Sequence, residues 1–439
     1  MSSALSLEQA PPLSVPMRFF LTAPVFGMLA AGLLLWAGPD ALASRWMPFT
    51  LALSHLLGLG VLTMTMCGAL FQLLPVLVGA RVALRWVVGL CHAGLVLGCL
   101  VLAGAFLGNS PIAFRLAMLL LGIGLGPFIA IVGFALVRAP RPDDTGRGMR
   151  WALLALTATL LLGLLLAAGH GWETVPLWRF PLTDLHMAWA LLGWVATLVA
   201  AVSYQVVPMF QMTPFYPAVP RRWLAPGIAG ALAGLSLLTL EFPAMAWLPN
   251  LMLAGTFTVF SVLTLRLLAQ RRRKLADASL VFWRVGMLAL AASAGTGALE
   301  LVAPVEPGSA LALAPALLFL PGFALLVVCG MLYKIVPFLV WLHLQQRIGG
   351  NPAARRRIFP PNMKTLVPER RARIHCGLHV AALVLLLAGL ALPVLVRPAA
   401  VLWLASFAVL GGNLLVAVHW YRVECQRIDA MADLSASPD

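Results

Sequence analysis

Residues 51–75 read LALSHLLGLGVLTMTMCGALFQLLP: twenty-five residues without a charged side chain, a histidine near the start and a proline at the end. As a helix this stretch is about 37 Å long, enough to cross the roughly 30 Å apolar core of a bilayer. Similar stretches recur along almost the whole chain. They fall at approximately 18–37, 48–78, 86–107, 116–137, 151–169, 185–211, 223–240, 247–267, 281–302, 310–343, 376–396 and 399–420, separated by charged or Pro/Gly-rich breaks. The pattern predicts an all-α integral membrane protein of about twelve transmembrane helices in a single membrane domain.

Composition agrees. Hydrophobic residues make up 62% of the 439 and charged residues only 10%, too little charge to cover a soluble surface of this size. The net charge of +15 would suggest nucleic acid in a soluble protein. Here the basic residues sit in short loops between apolar runs, so the lipid bilayer, and no nucleic acid, is the expected partner. The six cysteines (Cys67, Cys91, Cys99, Cys329, Cys376, Cys425) show no CxxC spacing, which argues against a zinc ribbon, a thioredoxin-type site or covalently attached haem. The N-terminal residues show no basic region followed by a short apolar core and a cleavage site, so the first span reads as a true helix.

Loop charge gives orientation. Arg81 and Arg85 follow the second span, Arg138, Arg141, Arg147 and Arg150 the fourth, and Arg221 and Arg222 the sixth. Arg271, Arg272, Arg273 and Lys274 follow the eighth. The loop at 346–374, after the tenth, carries Arg347, Arg355, Arg356, Arg357, Lys364, Arg370, Arg371 and Arg373 against Glu369. The other loops carry Asp40, Glu173, Asp184, Glu241, Glu300 and Glu306. The positive-inside rule then puts both termini in the cytoplasm of a bacterial-type inner membrane. The 346–374 loop is expected to lie on anionic lipid.

An internal repeat is present. Phe71-Gln72-Leu73-Leu74-Pro75-Val76 ends the second span, Tyr204-Gln205-Val206-Val207-Pro208-Met209 the sixth, and Tyr333-Lys334-Ile335-Val336-Pro337-Phe338 the tenth. Gly60, Gly193 and Gly322 each stand fifteen residues before the proline, and Cys67-Gly68 matches Cys329-Gly330 in register. The period is four helices, giving pseudo-symmetric units at approximately 18–137, 151–267 and 281–420. The proline is expected to end the helix at the interface. The Gln or Lys before it is expected to snorkel to headgroups or bond freed carbonyls, and the glycine to allow close helix contact.

Twelve helices in three four-helix units resemble the heme-copper oxidase catalytic subunit and its nitric-oxide reductase relatives. The segments His55–Gly79, His186–Met209 and Leu317–Trp341 look like the second, sixth and tenth helices of that family, which line its cofactor space and carry histidine ligands in their outer halves. His55 lies twenty residues before Pro75 and His186 twenty-two before Pro208, where the family places haem and copper ligands. The resemblance implies haem b, with copper as a further cofactor, and a respiratory-complex subunit or electron-donor protein as partner.

The departures are as informative. The family's tenth-helix histidines are replaced by Pro315 and Leu317, and Trp223–Leu240 contains neither His nor Tyr. The binuclear oxygen-reducing site therefore cannot be assembled on the family plan. Mid-span Asp, Glu and Lys are essentially absent, which argues against proton pumping. The expected function is a haem-binding protein in electron transfer or diatomic-gas handling. The alternative is a cofactor-free respiratory accessory or assembly subunit, or a transporter of a small solute or metal.

An imidazole inside a bilayer is costly unless paired, so His55 and His186 are the candidate cofactor ligands, with Met64 as a thioether axial ligand. His170, Asp184 and His186 form a candidate outer metal set suited to Zn or Cu. The bland readings are a histidine bonded to a backbone carbonyl, interfacial residues anchoring a loop, and a packing methionine. His92 falls in the cytoplasmic third of the third span and His419 at the end of the twelfth, while His343, His375 and His379 cluster around the basic loop and read as interface anchors, although His375 and His379 have metal-compatible i, i+4 spacing. Gly122-x-Gly124-x-Gly126 and Gly230-x-x-x-Gly234 read as small-residue packing.

Overall fold

Long apolar runs satisfy their backbone internally only as helices, and the chain has no strand among the described residues. The computed structural model describes residues 11–78, 85–138, 143–174, 179–272, 277–303, 306, 309–350, 355 and 358–436. Arg81, Arg141, Arg273, Lys274, Arg356 and Arg357 of the basic loops lie outside the described residues.

Among the described residues, twelve helices are long and apolar enough to cross a membrane. They are Ser14–Leu42 (α1), Pro48–Pro75 (α2), Arg85–Gly108 (α3), Pro111–Arg138 (α4), Asp144–Gly171 (α5), Arg179–Gln211 (α6), Ala218–Glu241 (α7), Pro243–Ala269 (α8), Ala278–Val302 (α9), Ala310–Gly349 (α10), Glu369–Gly389 (α11) and Pro393–Met431 (α12). Several begin earlier than hydropathy alone suggests, because charged residues make good helix starts. Asp143 caps α5 by accepting from the Gly146 N–H at 2.7 Å, and Asp277 caps α9 by accepting from the Leu280 N–H at 3.1 Å. Glu369 sits in the first turn of α11, where a carboxylate suits the helix dipole.

Each helix packs on the next in sequence, and α12 returns to α1, so the helices close a ring. Large apolar side chains such as Leu116, Leu161, Val259, Leu288 and Leu415 are exposed on its outside. Exposed Trp36, Trp86, Trp172, Trp223 and Trp247 lie near helix ends, as in the aromatic belts of membrane proteins. An apolar exterior with aromatic ends fits a multi-pass protein in a bilayer.

α2, α6 and α10 share an unusual conformation. Each contains eight π-helical residues, Leu56–Thr63, Trp189–Ala196 and Leu318–Leu325, and each segment starts nineteen residues before its proline. A π segment widens the turn and re-aims the face beyond it. Gly60, Gly193 and Gly322 fall at the same place in all three. A Cβ on Gly60 would run into the Phe26 ring, one on Gly193 would meet Ala155 at 2.7 Å and one on Gly322 Ala289 at 3.0 Å. Each contact is to the preceding helix: α1, α5 and α9.

Three expectations need correction. Pro75, Pro208 and Pro337 do not end their helices: helical backbone runs past the membrane span of α2 to Val78, and α6 and α10 continue to Gln211 and Gly349. A proline costs one N–H and one carbonyl bond, and packed neighbours hold the helix together through that loss. Lys334 does not snorkel: its Nζ lies 2.6 Å from Asp277. Gly230 and Gly234 are not packing glycines, since a Cβ on either would meet nothing within 4 Å. In the other run only Gly124 is packed, its Cα 2.8 Å from where a Cβ on Gly94 would sit, while Gly122 and Gly126 are free.

The loop expected at 346–374 is shorter. α10 runs to Gly349 and α11 starts at Glu369, and Ile358, Leu366 and Val367 of the connection are buried. Three apolar anchors tie it to the protein, so it does not simply rest on lipid.

Candidate functional site

α2 begins at Pro48, a residue pre-set for the first helical turn, and reaches His55 two turns later, just before its π segment. The His55 Nδ1 lies 2.7 Å from the Leu51 carbonyl. A carbonyl only accepts, so Nδ1 carries the hydrogen and Nε2 keeps its lone pair. His186 on α6 repeats the arrangement across helices, its Nδ1 3.1 Å from the Thr159 carbonyl of α5. Gly163, one turn further along α5, makes room for the ring: a Cβ there would stand 2.9 Å from His186 Cε1.

The two imidazoles are neighbours, with centroids 6.2 Å apart and planes inclined by 16°. Both line a cavity of about 290 Å³ walled by α2, α3, α4, α5, α6 and α10. Phe106 lies against His55 with centroids 5.1 Å apart. His170 lines the same cavity, stacked on Phe114 at 4.6 Å. No described group bonds Nε2 of His55 or His186. Tethering Nδ1 to a carbonyl and leaving Nε2 open is how proteins fix the tautomer and direction of a metal-ligating imidazole.

Of the other expected ligands, His170 shares this cavity, while Asp184 and Met64 do not line it. Asp184 is engaged by Arg45, whose Nη2 is 2.7 Å from its carboxylate, and it does not line the cavity. His170 Nε2 lies 3.5 Å from Arg179 Nη2. No three His, Cys, Asp or Glu among the described residues come together to hold one metal ion. Met64 is fully buried and does not line this cavity.

Two arginines at the cavity rim, Arg45 and Arg179, were not singled out in the sequence. The signal was available: both are cations at helix ends otherwise marked by acidic residues. Thr159 and Gly163, which hold and seat His186, carry no sequence signal, because a backbone carbonyl and a gap have no residue type.

The remaining histidines divide. His92 bonds Thr22 Oγ1 at 3.0 Å, His343 faces the Leu339 and Pro11 carbonyls at 2.8 and 3.0 Å, and His419 is exposed. His375 and His379 are fully buried, which corrects their reading as interface anchors. They pack among Phe282, Tyr333, Trp403 and Phe407. His379 Nε2 reaches the Pro321 carbonyl in the α10 π segment at 3.0 Å.

No family model matches this chain, and no curated protein matches it.

Proposed function

We propose that the chain is a haem-binding membrane protein that holds a b-type haem in the cavity of His55 and His186 and acts in electron transfer or diatomic-gas handling. The observation that carries this reading is the paired imidazoles, each with Nδ1 tied to a carbonyl and Nε2 open to one cavity. The ring centroids are 6.2 Å apart, close enough for one bound group to reach both.

The donor set favours haem over a bare ion. A caged zinc or copper takes three or four protein ligands, and no third His, Cys, Asp or Glu joins this pair among the described residues. A haem brings four nitrogens of its own and asks the protein for one or two axial ligands. Arg45 and Arg179 at the rim suit its carboxylates. His55 and His186 would hold the iron. Met64, buried away from the cavity, would not. The bound group supplies a one-electron or gas-binding centre, and the residues around it fix the imidazoles and exclude water.

The architecture proposed with this function is three pseudo-symmetric four-helix units resembling the heme-copper oxidase scaffold. The π segments and glycine contacts that recur in register on α2, α6 and α10 support it. The alternating basic loops support an inner-membrane orientation with both termini cytoplasmic. Proton pumping is not part of the proposal, because the spans offer few interior ionisable residues to relay protons.

Metal analysis of purified protein from haem-replete cells tests the reading. About one iron per chain is expected, with no dependence on added zinc. Copper in place of iron would move the site to a two-imidazole copper centre. Neither metal would leave the cofactor-free accessory or transporter alternative.

A further inference from the structure

A second cavity lies on the same three helices. It has about 160 Å³, and its upper edge is set by Thr65, Leu198 and Val327. Each of these stands ten residues before the proline of its own helix, so the cavity opens at one level on all three. It runs toward the proline ends, past Leu73, Phe210 and Leu342. Among the described residues no charged side chain lines it, and its polar groups are Thr65, Gln72, Gln205 and the Trp283 indole. The Thr65 hydroxyl at the upper edge is buried without a hydrogen-bond partner.

The histidine-lined cavity reaches down the same axis to Thr63, Trp194 and Leu320. On α2 the two cavities are thus two residues apart, about 3 Å along the helix. What closes the gap is the Trp194 indole, whose Nε1 donates to Thr63 Oγ1 at 3.2 Å. Both residues are buried, and both sit in π segments. Such segments are rare and recur at functional sites. A single hydrogen bond and the packing of the buried indole hold the partition shut.

We propose that small uncharged molecules of diatomic-gas size bind in the proline-end cavity and pass along the three-helix axis to the histidine-lined cavity, with Trp194 and Thr63 as the gate between them. The lining decides the class of ligand. An ion entering this space would lose its hydration with no opposite charge and only a few neutral polar groups to replace it, whereas an apolar molecule loses nothing. The proposal rests on the haem reading for what the molecule meets at the end of the path. The cavities and the gate do not depend on it.

Xenon-pressurised crystals of the full-length chain test it without need of a bound cofactor. In the wild type, xenon is expected in the proline-end cavity, bounded by Thr65, Leu198 and Val327, and absent between Thr63 and Trp194. Trp194→Ala is expected to give a continuous row of xenon sites joining the two cavities. Thr63→Val keeps the side-chain shape, removes the acceptor, and is expected to give partial xenon occupancy at the partition, so the test survives a Trp194 variant that fails to fold. Absence of xenon from the wild-type proline-end cavity would overturn the binding site. Cavities that stay separate in both variants would overturn the gate. Xenon throughout a colourless, iron-free protein would uphold the path while removing the haem reading, so the two failures are distinguishable.

Discussion

His55 and His186 are 131 residues apart in sequence, yet their rings lie 6.2 Å apart and within 16° of parallel. Each ring is aimed by a backbone carbonyl: Leu51 on its own helix for His55, Thr159 on the neighbouring helix for His186. The pair is therefore set before any ligand arrives, and the groups that set it can be changed without touching either imidazole.

Gly163 is the most direct of these. A side chain there meets His186 Cε1 at 2.9 Å, so Gly163→Val should push the ring off its carbonyl and out of line with His55. Disturbing the groups that orient a metal ligand typically weakens binding 10–100-fold. Cofactor retained per chain after purification should fall accordingly, with helix content unchanged by circular dichroism. Full retention would show that the position of His186 does not matter to binding.

The α3–α4 crossing offers a test of packing. A Cβ on Gly94 would lie 2.7 Å from the Gly124 backbone nitrogen, whereas one on Gly122 would meet nothing within 4 Å. Backbone cannot swing aside as a side chain can, so Gly94→Ala should cost about 1–3 kcal/mol and Gly122→Ala almost nothing. Thermal unfolding in detergent compares them. Equal midpoints for the two variants would contradict the crossing.

Lys334 and Asp277 are held at 2.6 Å with side chains 20% and 9% exposed. Asp277→Asn leaves a lysine without its partner inside the bundle and should destabilise by about 1–3 kcal/mol. Adding Lys334→Met should recover much of the loss, because the orphaned charge is then gone. A double variant as unstable as the sum of the singles would mean that the pair is not coupled.

The buried histidines of α11 should behave unlike each other. Neither ring nitrogen of His375 has a hydrogen-bond partner, while His379 bonds the Pro321 carbonyl. His375→Leu should then leave the unfolding midpoint unchanged or raise it, since an unsatisfied buried polar group is removed. His379→Leu should lower it. The reverse order would point to a partner for His375 other than packing.

These residues also show where sequence reading succeeded and where it stopped. The spans were legible because twenty apolar residues in a row have one stable form in a membrane. The special status of α2, α6 and α10 was legible from Pro75, Pro208, Pro337 and the glycines in register with them. Their π segments were not, because a widened turn depends on packing rather than on composition. That His55 and His186 share one cavity was expected only from the family resemblance, since helical register says how deep a residue lies but not which way it faces. His375 was misplaced for a related reason: a histidine two turns into a helix that starts in charged sequence reads as interfacial, and only tertiary packing buries it.

The most direct test of the haem reading is the absorption spectrum and iron content of the wild type beside the double variant His55→Ala/His186→Ala, both purified from haem-replete cells. The expected result is a Soret band with about one iron per chain in the wild type, and loss of both in a double variant that keeps its helix content. A wild type with neither Soret band nor iron, or a double variant that keeps both in full, would contradict it.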